Sequence, residues 1–119
     1  MRLRLALNYG GRLEILDAVQ KILDEEREGK RHRLTEDDFR KYFYDPEMSD
    51  PDLLIRTGGD LRLSNFLLWQ ISYSELYSTP VLWPDFRKEH FYEALIDFQR
   101  RDRRFGKVKG KVKAETVNN

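Results

Sequence analysis

The chain has 119 residues, 36% of them charged and 13% aromatic, with a net charge of only +1 and no cysteine. That length suits one small domain with a modest core. The composition excludes a disulfide framework and a cysteine-ligated metal site, gives no global field for nucleic acid, and fits a reducing, cytoplasmic compartment. No stretch approaches the ~18 apolar residues of a membrane span, and the apolar run at the start is too brief for a signal peptide.

LRLALNYGG opens with alternation, Leu3, Leu5 and Leu7 against Arg2, Arg4 and Ala6. This predicts a strand ending in a glycine turn. From Arg12 the period changes: Ile15, Leu16, Val19, Ile22 and Leu23 form a helical stripe, and Gly29 is its stop. Thr35 with Asp38 is close to a capping box and predicts a short helix over 36–43, ended by Pro46. Residues 52–56 read as a buried strand that feeds a glycine loop. SNFLLWQISYSEL reads as a helix capped by Ser64 or Asn65, and a short strand follows near 75–78. A last helix carries Phe91, Leu95 and Phe98 at i, i+4 and i+7. The order β, α, α, β, α, (β), α predicts an α/β fold, a partial parallel sheet of two to three strands with helices packed on it. Residues 1–106 form the domain and 107–119 a basic flexible tail.

Chemistry concentrates in RTGGDLRLSN, residues 56–65. Ligands of open α/β sheets bind at the C-terminal ends of parallel strands, where Arg56 falls. Gly58 and Gly59 permit φ > 0, so their N–H groups could approach an anion. Arg62 adds a second guanidinium, Ser64 a hydroxyl, and the expected helix its free N–H groups. Two arginine forks and a serine suit a diphosphate better than one carboxylate. Asp60 could orient an arginine or approach a metal. A plain turn with a surface Arg56–Asp60 ion pair explains the same residues, and no Walker A or G-x-G-x-x-G pattern is present.

The stretches NYGGR (8–12), DPDLLIRTGGDLRLSNFLLWQISYSELY (50–77), VLWPDF (81–86) and RRFG (103–106) resemble, in order and spacing, the C-terminal half of cis-prenyltransferases of the undecaprenyl diphosphate synthase family. The resemblance implies an enzyme that condenses isopentenyl diphosphate onto an allylic diphosphate with cis geometry. It implies that Arg56, Arg62, Leu63 and Ser64 bind isopentenyl diphosphate. Arg104 and Gly106 match an R-x-G ending that reaches the partner subunit's diphosphate. Glu75 would help hold Mg²⁺, across a dimer interface in one arrangement. Asp60 stands where the family more often has glutamate, and Leu61 where some members have a histidine near the metal. The family's D-G-N-G-R-W segment, which carries the catalytic aspartate, is not in the sequence. The resemblance therefore implies a fragment, a truncated product or one piece of a split enzyme, with no turnover alone. It would work as a homodimer or paired with a complete synthase. A non-catalytic partner subunit is the alternative.

Other features read as structural. Gly10, Gly11 and Arg12 resemble an anion site, but a strand-to-helix turn accounts for them. His32 and His90 have no catalytic neighbour and read as exposed. Trp69 and Trp83 read as core or interface. The run 100–113 has eight basic residues to one acid, which admits a nucleic-acid arm. Its single aromatic residue favours a basic tail, so nucleic acid is not an expected partner and membrane contact is at most peripheral.

Overall fold

A computed structural model of the chain describes residues 2–30 and 33–102. Its elements run α1 (Gly11–Arg27), α2 (Glu36–Arg40), β1 (Leu53–Arg56), β2 (Glu75–Ser78), a short 3-10 turn (Trp83–Asp85) and α3 (Lys88–Gln99). β1 and β2 pair in parallel, Leu53 opposite Glu75 and Arg56 opposite Ser78. The α/β class and the parallel sheet agree with the sequence reading; among the described residues the sheet has two strands. Arg31, His32 and residues 103–119, including Arg104, Gly106 and the tail, lie outside the described residues.

Local signals explain the ends of elements. Thr35 Oγ1 accepts the Asp38 N–H at 3.1 Å while Asp38 accepts the Thr35 N–H at 3.3 Å, a complete capping box. The helix ends at Arg40 rather than 43, because the next N–H groups, Lys41 to Phe43, bond three residues back and tighten into turns. Gly29 follows α1 with φ of 89°, the left-handed conformation of a helix stop. At α3 the Arg87 N–H donates to His90 Nδ1 at 2.9 Å, so the half-buried His90 is a cap rather than an exposed side chain.

Three expectations need correction. Residues 2–8 join no sheet among the described residues. A strand persists only where its N–H and C=O groups meet a partner, and here β1 and β2 use each other. The segment is held instead by its arginines, Arg4 to Asp45 and Arg2 to Glu47, which leaves Leu3, Leu5 and Leu7 exposed. The face that α1 buries is Gly11, Glu14, Ala18 and Ile22; of the apolar stripe Ile22 is buried and Ile15 half-buried, whereas Leu16, Val19 and Leu23 are exposed. The buried side is chosen by close approach to residues 65–70, where small residues and one paired carboxylate fit. Residues 64–73 are turns, not a helix. Ser64, Asn65 and Leu67 have φ of 50°, 62° and 43°, so no right-handed helix passes through them.

The core is small. Ala18, Ile22, Phe43, Ile71 and Ala94 are buried. Trp69 packs on Phe39 and Phe43 with ring centroids 4.9 and 5.9 Å apart, whereas Trp83 is 75% exposed and stacks on Phe86. An unpaired segment with a row of exposed leucines favours self-association. Light scattering should show mass rising with concentration, and the double change Leu3→Lys, Leu7→Lys should suppress the rise. A wild-type chain that stays monomeric at high concentration would contradict this.

Candidate functional site

β1 delivers Arg56 to the C-terminal end of the sheet, and the loop after it folds back on the strand end opposite. The Thr79 N–H donates to the Arg56 carbonyl at 2.9 Å. Gly58 and Gly59, at φ of 86° and 81°, donate their N–H groups to the Val81 and Thr79 carbonyls, each at 2.9 Å. Ser78 Oγ donates to the Asp60 carbonyl at 3.0 Å. The glycines therefore shape the loop but do not offer donors to a ligand. The N–H row of a following helix is likewise missing, since residues 64–73 are turns. The side-chain donors of the loop are those of Arg56, Arg62 and Ser64.

Those side chains converge. Arg56 Nη2 donates to one oxygen of Asp60 at 3.2 Å, and Arg62 Nη2 to the other at 2.9 Å. Arg56 is half-buried, with its Nε sealed from solvent and without a hydrogen-bond partner. A buried, unpaired guanidinium N–H is costly unless something accepts from it. Arg62 is largely exposed, and Ser64 and Leu63 are exposed beside it. Asp60 thus gathers two guanidiniums at one place. The Arg56–Asp60 surface pair considered from sequence does form, with Arg62 as a third member.

Arg62, then Arg56, hold the Asp60 carboxyl below its ordinary value of 3.8. A carboxylate depressed in the folded state stabilises fully above the ordinary value and loses that contribution as pH falls through the lowered one. A carboxyl-carbon NMR titration should place the Asp60 midpoint below 3.8, and Arg62→Ala should raise it. A wild-type midpoint at or above 3.8 would refute the pairing.

Glu75 lies elsewhere. It starts β2, opposite Leu53, whereas Arg56 lies opposite Ser78. Three strand steps separate the two ends, roughly 10 Å. Glu75 Oε2 accepts Arg101 Nη1 at 3.1 Å, and the same Nη1 donates to the Leu76 carbonyl at 2.8 Å. Arg101 also binds Asp97, through Nε at 2.7 Å, and so fastens the end of α3 to the start of β2. Among the described residues no group of three or more His, Cys, Asp or Glu side chains is placed to hold a metal ion.

Two residues were not singled out from sequence for the work they do. Arg101 was one basic residue in a run; its spacing of four from Asp97 on a helix was the available signal. The sequence offers Ser64 or Asn65 as the cap of a helix beginning there. Asn65 caps α1 instead: its carbonyl accepts the Gly11 N–H at 2.7 Å and its Oδ1 the Arg12 N–H at 2.9 Å. The Gly10-Gly11-Arg12 turn is accordingly structural, with its first N–H groups already satisfied.

Beneath this cap lies a polar cluster. Gln70 Nε2 donates to Glu14 Oε1 at 2.6 Å, both side chains being buried. The Tyr9 hydroxyl is buried beside them without a partner of ordinary geometry; burial first, then the Glu14 carboxylate, push it up to about 12. A cavity of about 500 Å³, lined in part by Leu5, Leu7, Tyr9, Phe66 and Leu67, opens next to it.

A family model of undecaprenyl diphosphate synthases matches residues 1–106. The chain belongs to this prenyltransferase family. The isoprenyl transferase of Thermotoga maritima is 58% identical over 106 residues, 89% of this chain and 46% of that protein. The tritrans,polycis-undecaprenyl-diphosphate synthase (geranylgeranyl-diphosphate specific) of Thermoplasma acidophilum is 52% identical over 89% of this chain and 42% of its own length. Lavandulyl diphosphate synthase from Lavandula x intermedia, solved in complex with dimethylallyl diphosphate, superposes with a TM-score of 0.82 at 39% identity, over 87% of this chain and 45% of that one. The chain spans less than half the length of these relatives. Its similarity to prenyltransferases agrees with the resemblance read from residues 8–12, 50–77, 81–86 and 103–106.

Proposed function

We propose that this chain is the part of a cis-prenyltransferase that binds isopentenyl diphosphate and presents it to an allylic diphosphate. The observation that supports this most directly is the convergence of Arg56 and Arg62 on Asp60 at the C-terminal end of β1, with Arg56 Nε buried and unpaired. A diphosphate brings acceptors to the accessible part of the Arg56 guanidinium and to the exposed guanidinium of Arg62, with Ser64 and Leu63 alongside. Arg104 and Gly106 are proposed to reach the diphosphate held by a partner subunit. In the condensation the isopentenyl double bond attacks the allylic carbon, the allylic diphosphate departs, and a proton is lost. The residues named here hold and orient the nucleophile, a contribution that in well-ordered cases reaches about 7–11 kcal/mol.

Mg²⁺ fits Glu75 as one carboxylate of an incomplete shell. Magnesium is held by one or two carboxylates together with phosphate oxygens and water, and Arg101 engages only Oε2 of Glu75. Bound there, the ion would offset diphosphate charge. Because Glu75 and Arg56 sit at opposite ends of the ladder, the reading includes a second subunit, a further copy or a complete synthase. Each chain's Glu75 would then serve its neighbour's diphosphate. No described helix is long and apolar enough to cross a membrane, and a cytoplasmic location is proposed.

Calorimetric titration of isopentenyl diphosphate with Mg²⁺ tests the reading. Saturable binding, with no product from the chain alone in a prenyl-transfer assay, is the expected result. Absence of binding would overturn the assignment of the loop, and turnover by the chain alone would overturn its assignment as a partial catalyst.

A further inference from the structure

We infer that Asn65 is the positioning residue of the diphosphate loop, an inference that rests on the function proposed for Arg56, Arg62 and Ser64. α1 is a helix of 17 residues whose own N-cap, Gly10, has no side chain to cap it. A helix start leaves four N–H groups without intrahelical partners. Asn65 supplies acceptors for two of them from another part of the chain, its carbonyl to Gly11 at 2.7 Å and its Oδ1 to Arg12 at 2.9 Å. The bonds require close approach, and the two glycines permit it. A Cβ on Gly11 would lie 2.9 Å from Leu68 Cγ and 3.1 Å from the Asn65 carbonyl oxygen; one on Gly10 would lie 3.0 Å from Asn65 Nδ2.

The bonds hold Asn65 at φ of 62° and, with it, Ser64 at φ of 50°. Asparagine accepts the left-handed conformation more readily than most residues, and serine does not. Ser64 therefore keeps its strained backbone because its neighbour is anchored. The loop is fixed at both ends. Its front is tied to the β2 end through Gly58, Gly59 and Ser78. Its back is tied to α1 through Asn65. Arg62 and Ser64 lie on the stretch between the anchors, while Arg56 lies on the strand itself. Asn65 thus sets the place of the Ser64 hydroxyl relative to the Arg56 fork without touching the ligand.

A double-mutant cycle, read by calorimetric titration of isopentenyl diphosphate into the full chain, tests this. Asn65→Ala should weaken binding at least about tenfold in the presence of Ser64. In a Ser64→Ala background the same change should cost less than about threefold, because the group it positions is gone. Asn65→Gly, which keeps the left-handed backbone and the carbonyl bond, should fall between the two and serves if the alanine variant does not fold. An equal loss in both backgrounds would overturn the inference and leave Asn65 a stabilising cap only. Unchanged affinity in Asn65→Ala and Asn65→Gly would overturn it too. Failure of the wild-type chain to bind would remove the diphosphate reading itself, and this inference with it.

Discussion

Arg56→Ala is expected to abolish saturable binding of isopentenyl diphosphate. The side chain leaves the end of β1 half-buried, and its Nε is sealed from water with no acceptor. Hydrogen bonds to charged groups contribute about 1.5–3 kcal/mol each. A guanidinium that gives two to a diphosphate accounts for roughly 3 kcal/mol or more, a loss of at least about 100-fold. The truncation also leaves Asp60 with Arg62 alone, so a carboxylate half-released from its pairs faces the incoming anion. Arg56→Lys should recover little of the loss, because a point charge on a flexible stem cannot reproduce the fork. Calorimetry of wild-type, alanine and lysine chains under one buffer condition reads the effect directly. Wild-type affinity in the alanine variant would show that the loop does not hold the ligand. Wild-type affinity in the lysine variant would show that charge alone is sufficient.

Gly11→Ala should be the most damaging of the small substitutions for stability. The new Cβ would fall 2.9 Å from Leu68 Cγ and 3.1 Å from both the Asn65 carbonyl oxygen and the Leu68 nitrogen. Two of those atoms are backbone and cannot swing aside, so either α1 or residues 65–68 must shift. Overpacking of this kind costs about 1–3 kcal/mol. That is a large part of the stability of a domain in which five apolar residues are buried among the described residues. Gly10→Ala is the matched control. Gly10 has an ordinary extended backbone, φ −146°, and its Cβ would press most closely on the end of the Asn65 side chain, at 3.0 Å. Urea denaturation should show a lower midpoint for Gly11→Ala at unchanged slope, and a smaller shift for Gly10→Ala. Equal midpoints for wild type and Gly11→Ala would mean that the approach of α1 to residues 65–68 is looser than described.

The parts of the fold that could be read from sequence are those set by local chemistry. Thr35 and Asp38 make their capping box from neighbours three residues apart. Gly29 stops α1 because its own backbone takes positive φ. β1 and β2 lie within a residue of their expected bounds and bring their own partner. What escaped the reading depends on distant segments. Leu3, Leu5 and Leu7 alternate as a strand should, but alternation supplies no hydrogen-bond partner. The apolar stripe of α1 predicts a buried face, and Ile22 is buried, but Leu16, Val19 and Leu23 are exposed because the approach is set by two glycines and by Gln70 finding Glu14 across 56 positions. Asn65 looks like a helix cap and is one, for a helix that begins 54 residues earlier in the chain. The site divides the same way. Arg56, Asp60 and Arg62 are close in sequence and meet in space, whereas Glu75 is drawn to Arg101 at the far end of the ladder.

The glycine N–H groups at 58 and 59, spent on the carbonyls of Val81 and Thr79, have a bearing on selectivity. A loop that grips an anion through main-chain amides measures its shape, because the amides cannot move. In the proposed reading this loop would grip through the Arg56 and Arg62 side chains, which reach out from a fixed frame, and so would measure charge. Added salt should therefore compete strongly at the exposed Arg62 and weakly at the sheltered Arg56. Compounds that share a diphosphate but differ in their hydrocarbon would be held alike at this end. The choice among isoprenoids falls to whatever apolar surface meets the other end of the molecule.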